Sequence, residues 1–199
     1  MKGTFPGIRA ALVAAALLAG GLPAAAGEPT EEIRAAISQG VEVLKNAKLG
    51  DAQSRAAALD RLRRIVYPLF DFPEMARRSL GTHWRRLEPQ QQKRFVTVFT
   101  ALLEATYADK IDLYEGQKVL YVGESIDQNY ARVQTRVVGK DEQSYSVEYR
   151  LHRLDGRWRI YDVVAENISL VNNYRSQFQR VLARSSFDEL IKRMEQKSG

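Results

Sequence analysis

Two histidines and no cysteine are all the chain offers among the side chains that most readily ligate metals or attack substrates near neutral pH. His83 sits beside Trp84 between two helical patterns, and His152 falls on the polar face of a strand pattern. Neither has a partner at ligand spacing, so no metal site is expected. The sequence holds no nucleophile elbow, no P-loop and no dinucleotide glycine pattern. Asp162 is the one carboxylate inside an otherwise apolar strand pattern, on the side read as shared by Trp158 and Ile160. Two readings of it stand open. It is the general base of a small isomerase or hydrolase with a tyrosine as polar partner, or a charge held by an arginine or by backbone donors. Tyr145 and Tyr149 are open in the same way, as ordinary sheet aromatics or as the lining of a cavity.

Periodicity supplies the elements that must position these residues. Ile33, Ile37, Val41 and Leu44 recur on one helix face after Thr30, read as an N-cap. A break at 46–51 precedes a second helical pattern with Leu59, Leu62, Ile65, Val66 and Leu69, which Pro68 ends or kinks. Asp71-Phe72-Pro73 restarts a helix that Gly81 closes. Glu88-Pro89 opens the longest one, with Phe95, Val98, Phe99, Leu102, Leu103 and Tyr107 on its apolar face. The period then switches to two over 119–126, 130–138, 144–152 and 157–165, with turn residues between at hairpin distances. Strand 157–165 is apolar on both faces and is expected to be central rather than an edge. Asn167, tolerant of positive φ, turns the chain into a helix carrying Ile168, Val171, Tyr174 and Phe178. Ser186 to Glu189 is a capping box opening the last helix.

These elements predict an α+β fold, a four-stranded antiparallel meander covered on one face by helices. The helical part spans about 30–115 and 168–196, and the sheet about 117–165. Such a sheet, packed against helices rich in Phe, Tyr and Leu, can enclose an apolar gap whose natural guest is a hydrocarbon chain. At about 0.8 kcal/mol per methylene, two acyl chains amount to on the order of 20 kcal/mol of burial. A fully packed core is the other reading of the same composition.

Residues 1–26 carry a basic start at Lys2 and Arg9, an apolar run from Ala10 to Leu22 and a small-residue site at Ala24-Ala25-Ala26. This is the pattern of a cleaved signal peptide, and it predicts a periplasmic product with one domain over 27–199. The run is shorter than the ~20 residues that span a bilayer. Of 30 basic residues against 24 acidic ones, two leave with the leader, and the remaining mild excess is spread along the chain. Arg61, Arg63 and Arg64, like Arg77-Arg78 and Arg85-Arg86, lie among helix-periodic apolar residues and read as solvated helix faces, not as a nucleic-acid surface.

Beyond periodicity, several strings stand in a telling order. They are Phe70-Asp71-Phe72, Met75-Ala76-Arg77, Leu80-Gly81 with Trp84, Gln91-Gln92 with Phe95, Phe99, Leu102-Leu103 and Thr106-Tyr107. Later come Tyr149-Arg150-Leu151, Trp158 with Ile160-Tyr161-Asp162-Val163, Ser169-Leu170-Val171, Asn173-Tyr174-Arg175 and Gln177-Phe178. Over about 30–195 the chain resembles the toluene-tolerance family, also called MlaC, of periplasmic phospholipid-binding proteins. It departs at Asn167, where the family pattern has glycine; Asn also accepts positive φ, so the turn is expected to survive.

The resemblance implies a sheet-and-helix fold akin to the nuclear-transport-factor superfamily, with an apolar pocket for phospholipid tails and the headgroup outside. It implies a non-enzymatic, monomeric carrier with no cofactor beyond its lipid. Its partners would be an inner-membrane ABC transporter complex, part of a system keeping outer-membrane lipid asymmetry, and an outer-membrane lipoprotein complex. A related subgroup accompanies hopanoid biosynthesis, which would change the lipid and not the principle. The expected pocket residues are Phe72, Met75, Phe95, Phe99, Leu102 and Tyr107 from the helices and Val133, Val137, Tyr145, Val147 and Tyr149 from the sheet.

Overall fold

A computed structural model of the chain describes residues 28–198. The signal peptide expected over 1–26 lies outside the described residues. Among those described, no helix is long and apolar enough to cross a membrane.

Helix α1 (Glu28–Asn46) is followed by α2 (Ala52–Val66), whose N-cap Asp51 accepts a 2.7 Å hydrogen bond from the Ser54 N–H. A 3₁₀ turn at Tyr67–Leu69 follows, where Pro68 ends the α-helical pattern. Helix α3 (Phe72–Leu80) is capped by Asp71, which accepts from the Glu74 N–H at 2.9 Å. It stops at Gly81, whose φ of +59° suits a residue without Cβ. A Cβ there would also lie 2.8 Å from the Arg175 side chain. Helix α4 (Pro89–Ala108) completes the first helical run.

Thr30 is not the N-cap that its type suggested. Thr30 lies inside α1 and is buried, donating from N–H (2.9 Å) and Oγ1 (2.5 Å) to Glu124. A distant carboxylate thus takes both Thr30 donors. Glu28 in turn accepts from Trp158 Nε1 (3.2 Å) and Arg153 (3.1 Å), so both contacts lay α1 across the sheet.

The sheet has five strands, not four: β1 (Lys118–Asp127), β2 (Tyr130–Val138), β3 (Ser144–Leu154), β4 (Arg157–Ala165) and β5 (Ile168–Ser169), antiparallel in chain order. The added strand arises at Glu166-Asn167, where φ is +48° and +63°. Two successive positive φ values make the tight hairpin that matches strand twist, pairing Val164 with Ser169 and Ala165 with Ile168. Two residues are too short to display a period of two. Ile168, read as the first residue of a helix face, is therefore an exposed strand residue, and α5 (Leu170–Leu182) starts after Ser169.

Strand β4 accordingly stands next to the edge. Only its last two residues pair with β5; upstream its free side is covered by the bridge between Phe70 and Ile160, with the Asp71 N–H donating to the Ile160 carbonyl at 2.9 Å. Helices α3 and α5 pack against it, so it is buried although a long strand flanks it on one side only.

The β3–β4 register also shifts, with Leu151 opposite Ile160 and Arg150 opposite Asp162, leaving Tyr161 as the extra residue of a bulge. A bulge reverses the alternation beyond it. Trp158, Ile160 and Val163 consequently share the inner face, and Asp162 lies on the other side from them, opposite to the side read from spacing.

Two cores result. One joins α3, α4, α5 and α6 (Phe187–Ser198) around Met75, Phe95, Phe99, Phe178 and Ile191. The other joins α1 to the inner sheet face through Ile33, Val133, Val137, Val147, Leu151 and Trp158, and Phe70 packs against both. The layering is that of an α+β fold with helices covering an antiparallel sheet.

Candidate functional site: an apolar cavity under helix α2

Between these cores the layers do not meet. A cavity of about 300 Å³ opens there, bounded by α1 (Ile33, Ile37, Val41, Leu44), α2 (Leu59, Leu62), the Phe70–Met75 segment, α4 (Leu103, Tyr107) and the sheet (Tyr149, Ile160, Val163). Its cause is visible in α2, where Ala58 is the one buried residue of the helix. The apolar stripe of α2 roofs the space instead of packing into it. A cavity with such walls excludes water and favours apolar guests.

Polar atoms are few in this wall. Thr100 spends its hydroxyl on the Val96 carbonyl at 2.9 Å. Burial pushes the Tyr149 phenol up to about 12 and raises that of Tyr107 further, so both stay neutral at physiological pH. The charged residues in the lining are Arg63 and Glu104, which form an ion pair with each other. Tyr67 donates its hydroxyl to the second Glu104 oxygen; burial first, and then this bond, push its phenol up to about 12. With these phenols neutral and the wall largely apolar, the arrangement is suited to burying a chain.

Asp162 is no base. Its Oδ1 accepts from the Val171 N–H (3.0 Å), and its Oδ2 accepts from Ser169 Oγ (2.7 Å) and Arg150 (3.5 Å). It is 4 % exposed, caps the start of α5 and lies outside the cavity lining. This geometry overturns the isomerase or hydrolase reading. His152 bonds to Asp71 at 2.8 Å, also outside the lining. Among the described residues no cluster of His, Cys, Asp and Glu gathers to hold a metal ion.

A family model described as MlaC protein matches residues 34–196, spanning both cores and the cavity. The chain belongs to the MlaC family. It is 22 % identical over 140 residues to the intermembrane phospholipid transport system binding protein MlaC of Haemophilus influenzae, covering 68 % of this chain and 65 % of that protein. It is 26 % identical over 152 residues to the toluene tolerance protein ttg2D of Pseudomonas putida, covering 74 % of this chain and 71 % of that one. The chain thus spans about two thirds of these relatives' lengths. In fold it is similar to a phospholipid-binding protein of Ralstonia solanacearum solved in complex with a phospholipid, with a TM-score of 0.73. That likeness has 21 % identity and covers 86 % of this chain and 97 % of the other.

In this MlaC-family chain, Phe72, Met75, Tyr107 and Tyr149 come together in the cavity wall. Phe95, Phe99 and Leu102 are buried in the helical core, and Val133, Val137 and Val147 in the core between α1 and the sheet. Tyr145 donates its hydroxyl to Gln143 at 2.8 Å near the β2–β3 turn. The lining residues of α1 and α2 escaped notice as pocket residues, although their periodic apolar faces were legible. The signal was α2 itself, a charged helix whose narrow stripe of Leu59, Leu62 and Val66 needs a surface to face.

Proposed function

We propose that this chain is a periplasmic, non-catalytic phospholipid carrier whose acyl chains occupy the cavity under α2. The cavity is the observation that carries the reading: it is walled mostly by apolar residues, roofed by a thinly buried helix, and among the described lining residues charged only where Arg63 and Glu104 meet. Each methylene sheathed there gains about 0.8 kcal/mol over water, which is what a soluble carrier of a bilayer lipid must supply. Family membership and the phospholipid named for the Haemophilus and Ralstonia relatives support the choice of guest.

Phe72, Met75, Tyr107 and Tyr149 are the side chains assigned to the acyl chains, while Phe95, Phe99, Leu102, Val133, Val137 and Val147 hold the walls in place. Acting as a monomer, the carrier takes lipid from one membrane complex and delivers it to another. Its partners are an outer-membrane lipoprotein complex and an inner-membrane ABC transporter.

The test is lipid extraction and native mass spectrometry of protein purified from a bacterial periplasm. About one phospholipid per chain is expected. A chain that emerges without lipid, and takes up none from vesicles, would overturn the reading; a hopanoid in its place would change the cargo.

A further inference from the structure

Arg63 and Arg64, near the end of α2, differ in what they face. Arg64 pairs within its own helix with Asp60, and its side chain is 76 % exposed. Arg63 instead joins the cavity lining, where it is the only cation among the described lining residues. It reaches across to Glu104 of α4, with side chains 45 % and 27 % exposed, which places the pair at the rim rather than in the depth. Tyr67 holds the other Glu104 oxygen from the 3₁₀ turn.

We propose that Arg63 is the phosphate anchor of the cavity, and that Glu104, steadied by Tyr67, occupies Arg63 when no lipid is bound. The inference rests on the carrier reading. A lipid whose tails fill the apolar space must leave its first charged group where the wall becomes polar, and among the lining residues that place is the Arg63–Glu104 pair. A guanidinium presents two parallel N–H donors that match phosphate oxygens, as they match a carboxylate. An ion pair this exposed contributes little to stability, so exchanging carboxylate for phosphate costs little. Glu104 keeps the Tyr67 hydroxyl after the exchange. That phenol stays neutral and able to donate throughout the physiological range.

The same phosphate chemistry comes from a headgroup or from free phosphate, and the test separates them. Delipidated protein is offered vesicles containing equal parts of phosphatidylglycerol and a diacylglycerol with the same chains, with or without inorganic phosphate, and native mass spectrometry reads what it carries. The wild type should take phosphatidylglycerol in preference. Arg63→Met should lower phosphatidylglycerol uptake about tenfold, the scale of one charge-assisted contact, and leave diacylglycerol uptake unchanged. Glu104→Gln should shift uptake the opposite way, since it frees Arg63. A merely structural role would move both variants in one direction, and that result would overturn the proposal. So would a wild type that takes both lipids equally while still carrying lipid, an outcome that leaves the carrier reading intact. Loss of phosphatidylglycerol uptake in the presence of inorganic phosphate would assign Arg63 to the free ion and overturn the headgroup assignment. A wild type that takes up neither lipid would remove the carrier reading and this inference together.

Discussion

The half of the molecule around Phe95 and the half beneath α2 use the same kinds of apolar residue, yet one is solid and the other is hollow. In the solid half Phe95 stacks on Phe99 at 5.8 Å, while Phe178 meets both rings edge-on at 5.6 and 5.8 Å. Leu80 and Ile191 fill what remains, with no exposed surface. In the hollow half, α1 rests on the sheet through Ile33 and Ile37, and α2 stands off from it. The difference lies in layer spacing and not in hydrophobic content. Where four helices interlock, rings leave no room; where one helix rests on α1 at its side, the sheet below it stays uncovered.

Truncations should separate the halves most strongly. Phe95→Ala is expected to cost about 3–5 kcal/mol in denaturant unfolding, with lipid occupancy of the folded fraction kept, because it empties packed volume away from the cavity. A cost below about 1 kcal/mol would mean that the solid half is not tightly packed. Leu62→Ala, on the cavity side, should cost less than about 1.5 kcal/mol in lipid-free protein, since that side chain lines the cavity and is only partly buried. It should nevertheless lower lipid occupancy, and equal stability losses for the two variants would erase the contrast.

Titration sharpens the same comparison with smaller effects. Tyr149 in the cavity wall has its phenol raised from 10.0 to about 12 by burial. A raised folded value means that its stabilising contribution is complete below pH 10 and is lost as pH climbs toward 12. Tyr149→Phe should therefore flatten the alkaline fall in melting temperature, and an unchanged slope would place the phenol in water. On the helical side, burial pushes the Glu74 carboxyl up, but hydrogen bonds from Arg77 and Arg78 outweigh it and hold the group below its ordinary 4.5. That contribution is present above pH 4.5 and fades as pH falls through the lowered value. Glu74→Gln should trail the wild type slightly at pH 7 and match it in acid; a gap that persists in acid would assign the loss to packing.

Much of the local structure was legible because its causes are local. Asp71 and Ser186 cap helices through hydrogen bonds to N–H groups three residues on, and Asn167 takes the positive φ that its turn requires. The alternation of β2 and β3 and the apolar stripes of α1, α2 and α4 were read from spacing alone. Family resemblance supplied the lipid, which no spacing contains.

What escaped depends on a partner in space. Strand β5 exists because β4 offers two residues for it to pair with. Asp162 faces α5 because Tyr161 is left over when β4 meets β3, and a one-residue slip in pairing exchanges the faces of a strand without altering its composition. Thr30 is satisfied by Glu124 from another element, and Arg63, on the solvated face expected of it, also reaches across to Glu104. Whether an apolar face is packed or left open followed the same rule. The stripe on α2 and the stripe on α4 read alike as periodicity, but the distance from each helix to its neighbours is set by every side chain in between, and only the assembled layers decide it.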